Sequence, residues 1–177
     1  MSDALETETA AFDDLRRRLA ADPGGVLEAV AAREGVGLRA VVACLPDALR
    51  AFADGRHAEA ALLDIAEWGE VTMLVHTEDL VLECRGAVPR GSFGRGYYNL
   101  GGGSPIGGHL KLDRCAAIAF VRRPFMGSGD SCAAIFFNRE GGAMFKVFVG
   151  RDAERNLRAD QVARFVALRD RLCGASS

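Results

Sequence analysis

The sequence predicts an α+β protein: N-terminal helices, then a large antiparallel β-sheet, then one C-terminal helix that covers it. Three observations carry this. The apolar period changes from helical to two-fold at about Glu70. The strand-like segments beyond it are joined by linkers too short for parallel crossovers. After the last strand comes an amphipathic segment long enough to lie across a sheet.

Residues 8–20 place Phe12, Leu15 and Leu19 on one face, and Asp22-Pro23-Gly24-Gly25 ends that helix. Residues 26–34 give a second helix, stopped near Gly35 and Gly37. Residues 38–45 give a third, ended before Pro46, and residues 47–53 a fourth. A fifth covers residues 57–68, with Ala61, Leu62, Ile65 and Trp68 facing inward. From Glu70, VTMLVH and LVLEC form a hairpin around Thr77-Glu78-Asp79. After a glycine-rich excursion come the strands HLKL, CAAIAFV, CAAIFFN and AMFKVFV. Asp113-Arg114, residues 127–130 and residues 139–142 supply the turns between them. Residues 160–172 turn Val162, Phe165, Val166 and Leu172 toward the sheet. The expected organisation is a helical region at 1–68 and a sheet region at 69–177, together one compact domain.

With 177 residues, 49% of them apolar, the chain can bury a core without disulfides or a structural metal. Cys44, Cys84, Cys115, Cys132 and Cys173 are odd in number and form no CxxC pair, so they read as small buried hydrophobes. No run approaches the ~18 apolar residues of a membrane span. The opening MSDALETETAAFDD is acidic and polar, unlike a secretory signal, so a cytoplasmic location without membrane insertion is expected. Charge divides unevenly: residues 1–70 carry net −7 and residues 71–177 net +5, so the second half suits an anionic ligand.

Several familiar chemistries fail. Residues 26–50 resemble a helix-turn-helix, but the reading helix offers only Arg39 to base edges, inside the acidic half. A packing or dimer-supporting role fits better than nucleic-acid binding. GGGSPIGGHLK lacks the Lys-Ser/Thr of a phosphate loop, and neither glycine run has dinucleotide-binding spacing. No serine sits in a nucleophile elbow, and grouping Ser92, His76 and Asp79 has no support from spacing.

Between Val75 and Lys111 the chain gathers two of its three histidines and both tyrosines around its densest glycine run. His76, Tyr97 and His109 can offer iron a neutral nitrogen or a phenolate oxygen. Phe93 and Tyr98 beside them suit a flat, aromatic-lined cleft, which makes haem the first ligand to test. In HLKL, His109 and Lys111 share a face, an imidazole for iron and an ammonium for a carboxylate. Tyr97 and Tyr98 point to opposite faces if extended, so one packs in the core and the other reaches a cleft. A tyrosinate suits ferric haem, because a hard anionic oxygen stabilises Fe(III). Arg90, Arg95, Lys111, Arg114, Arg122 and Arg123 can serve the propionates, with Phe93, Phe125 and Met126 as apolar walls. Each residue alone also has an ordinary role: His76 hydrogen-bonded at a hairpin end, His109 and Lys111 exposed on an amphipathic strand, both tyrosines in the core. His57 reads as a surface residue.

At these residues the chain resembles the cytosolic haem-utilisation carrier family, HutX/ChuX. The likeness runs in order through VHTEDLVLECRG, GSFGRGYYNL, SPIGGHLKLDRCAAIAFV, RPFMG, SCAAIFFN, AMFKVFVGRD and ADQVARF, over about residues 65–168. It implies a dimeric HemS/ChuX-like fold and an intracellular carrier that takes up ferric haem and delivers it to a haem-degrading partner. The family's histidines in HTEDL and GGHLKL correspond to His76 and His109, and the tyrosine opening its G-Y-F/Y-N-L segment to Tyr97. Family members often have His where this chain has Gly101, and commonly Phe where it has Tyr98. The implied axial ligand is Tyr97 ahead of His76 and His109, acting within one chain or across a dimer. A haem-degrading enzyme of related fold is the main alternative. A haem-responsive regulator and a flavin-binding split barrel are the others.

Overall fold

Successive residues of an extended chain face opposite sides, so VTMLVH can bury only alternate side chains in any one core. The computed structural model describes residues 2–127 and 129–174 and shows this alternation. Strand β2 (Glu70–His76) pairs antiparallel with β3 (Val81–Ala87), setting His76 opposite Val81 and Glu70 opposite Ala87. Val71, Met73 and Val75 enter one core. Thr72, Leu74 and His76 therefore belong to the other face of the sheet.

The large sheet has six strands. Besides β2 and β3 it contains β1 (Arg50–Asp54), β7 (Cys115–Pro124), β8 (Asp130–Asn138) and β9 (Ala143–Phe148). Its order is β1-β7-β8-β9-β2-β3, antiparallel throughout, as the short linkers require. Of the expected turn at 127–130, Ser128 lies outside the described residues.

Two layers cover this sheet. Helices α1 (Ser2–Ala21), α2 (Leu27–Glu34) and α3 (Leu38–Ala43) lie on one face. There Leu15, Leu19, Leu27, Leu38, Val41 and Val42 meet Ala117, Ala119, Val121, Ala133, Ile135 and Phe137. The alanines of CAAIAFV and CAAIFFN keep that face low, so the short helices sit close to it. Leu38, Val41 and Val42 thus turn α3 inward against the sheet, and Arg39 N–H donates to the Gly141 carbonyl at 3.0 Å.

On the opposite face lie α4 (Ala58–Ile65) and α5 (Ala159–Cys173), where Phe165 packs edge-on against Phe120 and Trp68 at centroid distances of 5.6 and 6.4 Å. Gln161 is fully buried in α5 and fully paired. Its Nε2 donates to the Trp68 and Glu70 carbonyls at 2.8 Å, and its Oε1 accepts from Gly150 N–H at 2.7 Å. These bonds fix α5 to the start of β2.

Two expectations need correction. Residues 47–53 are not a helix: Asp47–Leu49 make one 3-10 turn, and β1 follows on the edge of the large sheet. RAFAD alternates, sending Phe52 toward one core and Ala53 into the other, and five residues of alternation are easily read as helix. Pairing with β7 decides the matter. The glycine-rich excursion is itself a three-stranded sheet, β4 (Gly91–Gly94), β5 (Tyr97–Leu100) and β6 (Gly108–Leu110). Gly94 pairs with Tyr97, so Arg95-Gly96 form a two-residue turn with φ of 53° and 77°, as a type I′ hairpin requires.

The helical layer also meets the sheet through charge. Glu28 of α2 pairs with Lys146 of β9, which is only 8% exposed, and lies 3.3 Å from His76 Nδ1. Burial alone would push the Glu28 carboxyl up, but the Lys146 ammonium and His76 outweigh it and hold the group below its ordinary 4.5. A carboxyl depressed on folding adds stability above its unfolded value and loses it as pH falls through the folded one. Glu28→Gln leaves Lys146 buried beside a neutral amide, with an expected cost of about 2 kcal/mol at neutral pH. In urea unfolding, the gap from wild type should narrow as pH falls below 4.5. A gap that does not vary with pH would count against the charge pair.

Packing gives a second test. A Cβ on Gly91 would lie 2.3 Å from Tyr98 Cε1 and 2.8 Å from the Asn99 carbonyl. Both neighbours are held in the small sheet, so Gly91→Ala is expected to cost about 2 kcal/mol, read as a lowered Tm in a thermal melt. An unchanged Tm would show that the small sheet yields freely there.

Candidate functional site

Strand β5 separates the two tyrosines. Tyr98 and Leu100 point into the core shared with the large sheet, and Tyr97 and Asn99 point out. The Tyr98 hydroxyl accepts from Gly91 N–H at 3.2 Å, its ring meets Phe93 edge-on at 5.2 Å, and burial pushes its phenol up. Tyr98, expected to contact the ligand, is therefore a core residue. Phe93 stands opposite Tyr98 in the β4–β5 pair and shares its face, leaving its ring 58% exposed at the rim rather than beside Tyr97.

The outward face brings three of the expected residues together. Tyr97 is 39% exposed, and the His109 ring meets it edge-on with centroids 5.9 Å apart. Lys111 Nζ lies over the Tyr97 ring, 4.2 Å from its centroid. Arg95 is exposed in the Arg95-Gly96 turn that immediately precedes Tyr97. The residue that sequence reasoning missed is Asn99. Its Oδ1 lies 2.7 Å from His109 Nδ1, and its Nδ2 contacts the Ser92, Gly94 and Tyr97 carbonyls at 3.1–3.2 Å. The signal was available: Asn99 is two residues beyond Tyr97 and so shares its face.

His76 does not join this group. It faces Glu28 on the side of the large sheet that α2 covers, whereas the small sheet packs through Tyr98, Leu100 and Ile106 into the opposite core. Within one chain the six-stranded sheet stands between His76 and the Tyr97–His109 pair. The arginines expected around a ligand are also largely engaged elsewhere. Arg90 pairs with Glu67, Arg114 with Glu140, and Arg122 with Asp130, while Arg123 donates to the Pro23 carbonyl. On the His76 side, a cleft of about 680 Å³ has Leu74, Phe125 and Phe148 on its walls with Arg85, Arg151 and Arg155. Those three arginines were not singled out by spacing, because they are gathered only by the fold. Arg151 is spent on the Asp130 and Arg155 carbonyls, each at 2.7 Å.

The donor set limits the chemistry. Among the described residues no three His, Cys, Asp or Glu are placed to hold a metal ion. A phenol beside an imidazole is too small a donor set for a bare ion, but suffices for a metal whose other positions are already filled. Burial raises the thiols of Cys44, Cys132 and Cys173 and pushes Cys115 up to about 11, so these cysteines are poor nucleophiles. Among the described residues no helix is long and apolar enough to cross a membrane.

Comparison with known proteins places this architecture. The family described as haem utilisation ChuX/HutX matches residues 51–168. An intracellular heme transport protein, HutX, of Vibrio cholerae serotype O1 is 40% identical over 129 residues, 72% of this chain. The matched region spans 66% of that relative's length. A crystal structure of an Erwinia carotovora protein is 42% identical with a TM-score of 0.86, over 89% of this chain and 98% of that one. The structure of the heme binding protein ChuX is 40% identical with a TM-score of 0.82, again over 89% and 98%. With the matched segment running from β1 into α5, the chain belongs to the haem-utilisation ChuX/HutX family.

Proposed function

We propose that this protein is a cytoplasmic haem carrier that takes up ferric haem and passes it to a haem-degrading partner. The observation that carries this is the outward cluster of Tyr97, His109 and Lys111 on the small sheet. The porphyrin fills four positions of its iron, so one side-chain donor is enough, and this face offers two, Tyr97 and His109. When bound, haem supplies a ferric centre that favours a hard anionic oxygen. Tyr97 is the axial ligand in this reading, accessible and held in place by its neighbours. His109 stands next to it, and Lys111 and Arg95 provide positive charge for the propionates. The ChuX and HutX relatives, one named a heme binding protein and the other a heme transport protein, support the haem-carrier reading.

The carrier acts as a homodimer in this proposal. Edge strand β3 and its hairpin leave Leu80, Val81 and Leu82 about half exposed, which suits association. His76, on the far side of the sheet, takes part only from a second copy. Carriage is favoured over degradation because the groups set against the Tyr97 ring, the His109 imidazole and the Lys111 ammonium, are not carboxylic acids placed to deliver protons to bound oxygen.

Haemin titration followed by absorption and resonance Raman spectra tests the ligand. Phenolate modes are expected in wild type and absent in Tyr97→Phe, with affinity falling at least tenfold, about 1.4 kcal/mol. His76→Ala should leave the coordination of a single chain unchanged. If none of Tyr97→Phe, His109→Ala and His76→Ala alters the spectra, the site assignment is wrong.

A separate measurement addresses turnover. With a reductant, oxygen and catalase present, the haem spectrum should persist. Steady bleaching with a linear tetrapyrrole product would make this protein an enzyme.

A further inference from the structure

Asn99 has one possible orientation. Its Nδ2 lies 3.2 Å from the Ser92 carbonyl, 3.1 Å from that of Gly94 and 3.2 Å from that of Tyr97. Carbonyl oxygens only accept, so the amide NH₂ must face them. A flipped amide would set Oδ1 against three lone pairs. Oδ1 is thereby directed at His109 Nδ1, 2.7 Å away. An amide oxygen has no proton to give, so the proton in that bond belongs to Nδ1. A neutral imidazole carries one N–H, which leaves Nε2 with a free lone pair.

We propose that Asn99 is a positioning residue: it senses the closed β4–β5 hairpin through three carbonyls and holds His109 in its Nδ1–H tautomer, presenting Nε2 as the donor nitrogen beside Tyr97. Free imidazole side chains favour the opposite tautomer, with the proton on Nε2, which would bury the lone pair toward the strand and present an N–H to the ligand. Anchoring the far N–H on an oxygen also raises the basicity of the donor nitrogen and fixes the ring plane. What Nε2 then does rests on the haem-carrier reading, in which it is the second donor on the ligand face. The tautomer rests on the hydrogen bonds alone.

The test uses the whole chain without haem, with ¹⁵N-labelled histidine, at about pH 8, where imidazoles are neutral. The chain has three histidines, so His57→Gln and His76→Gln assign the signals. His109 is expected to show a protonated Nδ1 and a bare Nε2, the Nδ1–H form prevailing by about tenfold. Asn99→Leu should release the ring to the Nε2–H form. Gly91→Ala, which strains the small sheet but keeps Asn99 and its contact with His109, should retain Nδ1–H.

Asn99→Leu also loses the amide contacts to the three hairpin carbonyls, and Gly91→Ala separates that effect on folding from the His109 contact. A bare Nδ1 in wild type overturns the proposal. So does a His109 signal that is the same in Asn99→Leu as in wild type. Haemin binding to the same proteins bears on the other reading. If Asn99→Leu switches the tautomer yet binds haemin as wild type does, the positioning of His109 stands and its place in the carrier site falls.

Discussion

The Tyr98 ring lies against Gly91 so closely that even a methyl group on that glycine would come within 2.3 Å of it. The outward face of the small sheet depends on this contact. Strand register has a period of two, and a slip of one residue would exchange Tyr97 for Tyr98 and turn His109 inward. The slip is blocked because one tyrosine has a place to go. Tyr98 buries its ring in the common core and spends its hydroxyl on Gly91 N–H, and a slip would break that bond together with the β4–β5 pairing. The outward face is therefore specified from behind, by a residue buried in the core.

The large sheet does a different job, because it is a partition. Its alanine-lined face accepts the N-terminal helices, and its aromatic face accepts α4, α5 and the small sheet. Residues that look adjacent in sequence motifs are sorted onto opposite sides of it. His76 and Tyr97 are the clearest case, 21 positions apart in a glycine-rich stretch yet separated by a layer of backbone. On the helical side, His76 is already occupied by a local task, since it and Lys146 both face Glu28.

Much of this was legible in the chain. The change of period at Glu70, the antiparallel order implied by short linkers and the covering helix all follow from local patterns strong enough to survive tertiary context. So did the rule that adjacent tyrosines part company. Other features were hidden for physical reasons. The edge strand β1 is five residues long and gains its identity from β7, which lies more than 60 residues away. The small sheet was concealed by its glycines, which signal loops until the Arg95-Gly96 turn is recognised as a hairpin. The arginines nearest the Tyr97 motif in sequence were no guide to charge around it, because most are paired with carboxylates that only folding brings near. Asn99 was overlooked because an amide has no chemistry of its own to advertise; its role appears only once its four partners are in place.

The proposed carrier must bind its cargo and also release it, and the outward placement of Tyr97 bears on both demands. A ligand enclosed in a pre-formed pocket is held mainly by burial of its apolar surface, and leaves slowly for the same reason. Tyr97 is 39% exposed on an open sheet face, so in the proposed site one iron bond and a few ionic contacts supply a larger share of the affinity. Such contacts can be exchanged one at a time with those of a receiving protein docked on the same face. The rigidity behind the site makes this practicable. With Tyr98 locked over Gly91 and Asn99 tied to three carbonyls, the donors do not need to be ordered when the ligand arrives, and that saving offsets part of the affinity given up by leaving the face open.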